Sequence, residues 1–537
     1  MKKIFTTFIA ISLTINAFAL DVWDGTASPW TNGTGTSSAP YLIETAANLA
    51  YLAQKVNEGY QAQGMEVFKN VYFLMTDDLD LNNINWTPIG NVNMSMQGYY
   101  FAGIFDGWYH NIDHLKIQSS ADVCGLFSGL GGYSEGSQYG FGVIQHLSVT
   151  NGNITSTGTG VGGIVGAVAG EARVYQCSFS GIISVSNSSS YCGAGGIAAA
   201  AAQNSDISEC SFHGSITATN SGGFTGAAGA GGIVGIAMDS SLIFSCYNTG
   251  NITANSFMLN VAAGIVAATL QENSVSVKCC YNVGTVSAST KGGIFGMVSP
   301  INPTKDETAI EVWNCYYLNT CGGTTNYGTS MTANEMQSED FIVSLGGLHI
   351  FVMDNGTNNG YPIHSLTSSR VFEATEITAH SAYLSADLHK GNSEVTRAYL
   401  SYGILDSTEI TEIDIANDGF VEVTLEDLEA NTFYTFNVSM EFDDGVILTS
   451  EPHYFETLDN TGISEIQNSN IYVYPNPTSD FIYIENIEPQ SISIYSLDGK
   501  LVKTVEDTNV VDVRDLGKGV YLINIDGITK KVVVEMP

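Results

Sequence analysis

His110 and His114 stand four residues apart in HNIDH, a separation at which two imidazoles on one helical face can hold zinc. That chemistry needs HExxH on a helix with the glutamate as base, and Asp113 sits at the wrong offset for the task. The alternation around the motif is that of a strand, so both histidines read as structural. Asp77, Asp78 and Asp80 in DDLDLNN supply the donor type of Ca²⁺, which takes six to eight oxygens. The same run reads more readily as a solvated strand edge and turn, with Leu79 and Leu81 pointing inward. DNGTNNG at 354–360 shares that ambiguity. Calcium is the one cofactor left open, and no residue is assigned a catalytic, cofactor-binding or metal-ligating role.

Paired carboxylates would matter on a parallel β-helix, where glycosidic bonds are cleaved by two acids a few ångströms apart. The central region supplies only Glu171, Asp206, Glu209, Asp239 and Glu272. Asp206 and Glu209 flank the start of one repeat, and the others do not recur at equivalent positions. No Ser/His/Asp, Cys/His or phosphate-loop pattern is present. The many Gly-Gly pairs read as turns, since none forms GxGxxG between a strand and a helix.

The elements that must position these residues follow from the whole chain. Its 537 residues exceed one ordinary core and suggest several domains. With 18 Lys plus Arg against 54 Asp plus Glu, the net charge of -36 repels nucleic acid and anionic lipid. Lys2 and Lys3, an apolar run from Ile4 to Ile15 and the small-residue site Ala17-Phe18-Ala19 form a secretory signal peptide, with cleavage expected before Leu20. No later stretch reaches the roughly 20 apolar residues of a membrane helix.

Nine cysteines spread over residues 124–321, odd in number and too dispersed for a small disulfide scaffold. They follow a repeat instead. Cys177, Cys210, Cys246 and Cys280 open CSFSGIISVS, CSFHGSITAT, CYNTGNITAN and CYNVGTVSAS, spaced 33, 36 and 34 residues, and Cys315 follows after 35. Each unit also carries a glycine-paired block, such as GGIVG at 162–166 and 231–235 or GGIFG at 292–296. Period-2 alternation marks strands, and a unit that cannot bury its apolar face alone must stack on its neighbours. The cysteines are then expected as a ladder of buried thiols. Disulfides between Cys315 and Cys321, or involving the neighbours Cys279 and Cys280, are the competing reading. Residues 136–303 hold only eight charged side chains, leaving Ser, Thr, Asn and Gly to face outward.

These units resemble the GLUG-type repeats of bacterial surface proteins, which also occur in the non-catalytic part of some IgA-cleaving peptidases. The resemblance extends upstream through WDGTA, DDLDLNNINWTPIG and FAGIFDGWYHNIDHLKI, and downstream through MTANEMQSEDFIVSLGG and NNGYPI. Both flanks are expected to cap the stack, because an open end exposes unpaired strand edges. Residues 45–58 place Leu49, Leu52, Ala53 and Val56 on one helical face before Gly59. Thr332 and Glu335 form a capping box for a helix carrying Met336, Phe341 and Leu345.

From about Val371 the composition shifts, with 20 acids and two bases over residues 371–470. Short alternating runs there have sandwich spacing. LEDLEANTFY, with Leu428 and Tyr434, resembles the tyrosine-corner segment of fibronectin type III domains. The last 67 residues form four strand blocks. They resemble the type A sorting domain of the type IX secretion system of Bacteroidetes, in Pro475-Asn476-Pro477, SLDGK at 496–500, GKGVYLINI at 517–525 and Lys530-Lys531. That resemblance implies recognition by the secretion machinery, passage through the periplasm to the outside, and removal of the tail with release or attachment to lipopolysaccharide.

The expected fold class is all-β: a parallel β-solenoid with short capping helices, followed by two β-sandwiches. Its segments are a signal peptide (1–19), the N-terminal part and cap of the solenoid (20–135), the repeats (136–318), a C-terminal cap (319–367), a fibronectin-like sandwich (371–458), a linker (459–470) and the sorting domain (471–537). A non-enzymatic surface or secreted binding protein, an adhesin for host proteins, glycans or other cells, is the first functional expectation. A β-helix carbohydrate-active enzyme on the same route is the alternative, and a purely structural layer protein the third.

Overall fold

The computed structural model describes residues 22–534 except 38, 63, 94–96, 133–140, 189–190, 224–225, 270–274, 299–309, 347–349, 355, 406, 408, 444, 451, 460–471, 475–477, 486–488, 497–499, 507 and 527. The signal peptide, nearly all of the linker, Pro475-Asn476-Pro477, most of the SLDGK turn and Glu272 lie outside the described residues.

A parallel β-solenoid with four sheets, of nine, eight, twelve and six strands among the described residues, forms the first part of the molecule. One coil shows the plan. Arg173–Tyr175 belongs to the nine-stranded sheet, Ser178–Asn187 to the twelve-stranded, Tyr191–Gly195 to the six-stranded and Ala198–Ala201 to the eight-stranded. Asp206–Ser208 then returns to the first sheet, paired with Arg173–Tyr175. Parallel register stacks like on like: Ile183, Ile216, Ile252 and Val286 are successive partners, all buried. Phe179 lies flat on Phe212 at 6.2 Å, and further along the same inner rank Asn248 donates from Nδ2 to Asn282 Oδ1 at 2.7 Å.

The repeat positions that hold glycine do so for a steric reason. A Cβ on Gly196 would stand 2.1 Å from the Gly232 carbonyl oxygen of the next coil. Gly214 has φ +140, and a Cβ there would meet Gly181 O at 1.9 Å. Neither position admits a larger residue without moving backbone.

The repeat cysteines occupy one corner, between the nine- and twelve-stranded sheets. All nine cysteines are free and buried, so the suspected disulfides are absent, including Cys315 with Cys321. Each corner thiol reaches a carbonyl of the preceding coil, Cys246 Sγ to Ile207 O at 3.4 Å and Cys315 Sγ to Val277 O at 3.3 Å. Cys210 N in turn donates to Cys246 Sγ. Burial pushes the thiols of Cys210, Cys246, Cys280 and Cys315 well above the usual range.

Helix α1 (Ala46–Asn57) covers the first coil with Leu49, Leu52, Ala53 and Val56 buried, behind a Thr45/Asn48 capping box. At the far end the expected single helix is two, α2 (Ala333–Met336) and α3 (Glu339–Leu345), broken at Gln337 and Ser338. The Thr332/Glu335 box is present, and Met336, Phe341 and Leu345 are buried. This segment does not close the end of the stack. It folds back on the outside of the twelve-stranded sheet, where Phe341 and Phe351 pack against Tyr281 and Tyr247.

Residues 368–456 form a sandwich of a three-stranded sheet and a sheet built on Val395–Ile404 and Phe433–Phe442. Tyr434 Oη accepts the Glu429 N–H at 2.9 Å, the tyrosine corner expected of a fibronectin-like domain. The tail forms a third core around Ile482, Ile494, Val511 and Ile523. Its four sequence blocks resolve into seven strands in sheets of three and four, because two of the blocks each contain a reversal and a third crosses from one sheet to the other.

Candidate ligand-binding site

The residue preceding each repeat cysteine turns the corner in the left-handed region: His146 (φ 52) at the corresponding position in the first such coil, then Gln176 (48), Glu209 (51), Ser245 (51), Cys279 (56) and Asn314 (48). Non-glycine residues are uncommon there, and this rank is where the sandwich docks. Trp108 Nε1 donates to Asp387 Oδ2 at 2.8 Å. The Tyr109 ring lies between His389, 3.8 Å away and nearly coplanar, and His146 at 4.6 Å.

Behind this stack runs a buried polar chain. Tyr109 Oη donates to Gln176 Oε1 at 2.6 Å, and Gln176 Nε2 donates to Glu209 Oε2 at 2.7 Å. His146 Nδ1 pairs with Asp106 Oδ1 at 2.9 Å. Burial raises the Asp106 carboxyl, but hydrogen bonds from His146, Gln145 and the Trp108 N–H outweigh it and hold the group below its ordinary value. Burial holds Glu209 above its ordinary value despite the Gln176 bond. On the other side the exit segment contributes His364, whose Nε2 donates to Ser245 O at 2.8 Å and whose own carbonyl accepts from Asn392 Nδ2 at 2.8 Å. Burial depresses both His364 and His213 to about 4.

Solenoid, exit segment and sandwich together enclose a cleft of about 440 Å³. Ser148, Ser178 and Ser211 line it from one register position of successive coils. Asn111 lines it too, with its Oδ1 buried and without a hydrogen-bond partner among the described residues.

Most of the residues singled out in the sequence lie elsewhere. The histidine and aspartate motifs are neighbouring parallel strands, Leu79 against Ile112 and Asp80 against Asp113. His110 Nδ1 meets Asp78 Oδ1 at 3.2 Å and His114 Nδ1 meets Asp80 Oδ1 at 3.0 Å, while Asp77 accepts from the Thr76 hydroxyl. Leu79 and Leu81 are fully buried. Asp206 pairs with Arg173 at 3.2 Å and Ser208, Asp239 sits in a left-handed turn, and Glu171 is exposed. Asp354 accepts from Thr357 N, Thr357 Oγ1 and Gly360 N. Burial raises its carboxyl, yet these donors and Asn358 N bring it down to about 2. No group of three or more His, Cys, Asp or Glu side chains is placed to hold a metal among the described residues.

Glu209 reaches the cleft, as do Cys177 and Thr357 of the DNGTNNG stretch. Tyr109, His146, Gln176, His213, His364 and His389 were not anticipated. The corner residues carried a signal, large polar side chains immediately before the repeat cysteine. His364 and His389 carried none, because their partners lie more than a hundred residues away.

No helix among the described residues is long and apolar enough to cross a membrane. A putative Gly-rich membrane protein of Evansella cellulosilytica is 32% identical over 165 residues, 30% of this chain and 17% of that relative's length. Among solved structures, the sensor domain of the anti-sigma factor RsgI4 in Pseudobacteroides cellulosolvens matches 17% of this chain and 95% of its own at 23% identity and a TM-score of 0.15. A two-domain fibronectin type III segment from chicken tenascin matches 32% and 85% at 18% identity and 0.15. One family profile matches, over residues 472–535, and with it the chain carries a secretion system C-terminal sorting domain, the mark of export to the cell surface or beyond.

Proposed function

We propose that this chain is a non-enzymatic binding protein, an adhesin in the broad sense, delivered by the type IX route of a Bacteroidetes cell and working at its surface or in the surrounding medium. The observation that carries the reading is the outer face of the twelve-stranded sheet. Thr155, Ser184, Thr217, Thr253 and Ser287 stand in register on five coils, a rank about 19 Å long at the 4.8 Å strand spacing. Asn153, Ser215 and Asn251 form a second rank, interrupted by the exposed Ile182, and Ser186, Thr219 and Asn255 a third. Hydroxyls and amides both donate and accept, so the face suits a long, uncharged, hydrogen-bonding partner such as a glycan or glycoprotein. Immobilised neutral glycans, mucin and matrix proteins are expected to retain the chain, and Thr217→Glu with Thr253→Glu to weaken retention at least tenfold. Failure of every such surface to retain it would sink the reading.

A second reading, a carbohydrate-active enzyme, is favoured by Glu209 alone, a carboxyl beside a cleft whose burial raises it above its ordinary value, the direction a general acid needs. It expects new reducing ends from a polysaccharide panel, lost in Glu209→Gln.

A further inference from the structure

The cleft at the joint is separate from the open part of the polar face and has the enclosure that the face lacks. Its volume of about 440 Å³ lies within the range of small-ligand sites, roughly 300–1,000 Å³. The floor is the hydroxyl rank of Ser148, Ser178 and Ser211, with Ser148 Oγ and Ser178 Oγ 2.9 Å apart. Thr150 and His213 stand two residues further along their strands. Tyr109 and His389 bound one side, and His364 and Thr357 come from the exit segment.

We infer that this cleft binds an uncharged polyhydroxylated ligand, a neutral sugar residue or a short neutral saccharide. Three features of the lining point the same way. Its polar atoms are mostly hydroxyl, amide and imidazole, groups whose mixed donor and acceptor character complements sugar hydroxyls. Asn111 Oδ1 is a buried acceptor with no donor among the described residues, and a buried polar atom in that state calls for a partner. The lining also lacks a fixed cation to draw an anion. His213 and His364 are uncharged at neutral pH, and the chain as a whole carries -36, so uronates, sialates and phosphates are repelled. A metal ion finds no ligand cluster there among the described residues. Apolar ligands would leave Asn111 Oδ1 unsatisfied.

The test is ligand-observed NMR on the full chain with neutral hexoses, pentoses, N-acetylhexosamines and their disaccharides, alongside glucuronate, galacturonate and sialic acid, followed by calorimetry on any hit. At least one neutral sugar is expected to bind, with a dissociation constant in the millimolar range or tighter. Ser178→Tyr, which fills the cleft from an outward-facing position, should weaken that binding at least tenfold. Thr411→Tyr, exposed on an edge strand of the sandwich and away from the cleft lining, should leave it unchanged. Asn111→Leu, close in size, gives the same loss as Ser178→Tyr by removing the acceptor, and circular dichroism checks that each variant is folded. Absence of any neutral sugar binding, tighter binding of the acidic sugars, or full retention in both Ser178→Tyr and Asn111→Leu overturns the inference. The last outcome would leave the binding role of the long face standing, so the two readings fail separately.

Discussion

His364 is almost wholly enclosed, with its Nε2–H committed to Ser245 O, and that enclosure has a pH signature. Its imidazole titrates near 6.5 in an unfolded chain and near 4 in the fold. Between those values the unfolded state holds a proton that the fold refuses, so the stabilisation is complete above about pH 6.5 and is lost as the pH falls toward 4. The loss for this one group is on the order of 3 kcal/mol. Thermal denaturation across pH 7 to 4 should show it, and His364→Gln, which can still donate to Ser245 O, should flatten the slope. The thiols make a second prediction at this scale. A native chain should expose no cysteine to a thiol reagent while the denatured chain exposes nine, and Cys246→Ala should cost about 1–2 kcal/mol in chemical denaturation through a small void and a lost Sγ–H contact. The thiol ladder was legible because the repeat spacing fixes its register. His364 was not, since burial of a lone histidine depends on which distant segment folds over it.

Among the elements, the corner between the nine- and twelve-stranded sheets bears both packing and docking. Gly214→Ala should destabilise the solenoid by about 2–4 kcal/mol, because a Cβ there strikes the Gly181 carbonyl at a φ that alanine avoids. Far-UV melting of the variant measures it. Tyr109→Ala tests the joint. Each ring contact of the Tyr109 stack contributes roughly 0.5–1.5 kcal/mol, so hydrogen exchange should quicken at residues 363–366 and 387–392 while the sandwich core at Phe433–Phe442 keeps its protection. The strands themselves were read from alternation and the caps from Thr45–Gly59 and Thr332–Glu335. The exit helices misled as an end cap, because amphipathicity says that Phe341 and Leu345 must be buried and is silent on whether an open coil or an aromatic flank at Tyr247 and Tyr281 receives them. The tail's strand number was undercounted for a similar reason: a tight reversal inside ISIYSLDGKLVKTV and a crossing from one sheet to the other inside VDVRDLGKGVYLINI leave the alternation continuous on both sides.

For the whole molecule, three cores separate the tasks: a solenoid, a sandwich and a sorting domain. Cells expressing the chain without residues 471–537 should retain it in the periplasm, and fractionation that finds the truncated form outside would refute the assignment of the tail to export. The sandwich does more than space the solenoid from its tail. Because Asp387 and His389 hold Trp108 and Tyr109 near the solenoid's start, while Asn392 holds the exit segment that lies on later coils, the chain doubles back and is clasped along its own flank. A load applied between the tail and the coils would enter the sandwich at strand His453–Glu456 and reach this clasp before the hydrogen-bonded ladders of the coils. Under such a load the clasp should yield first, lengthening the chain while the coils stay wound.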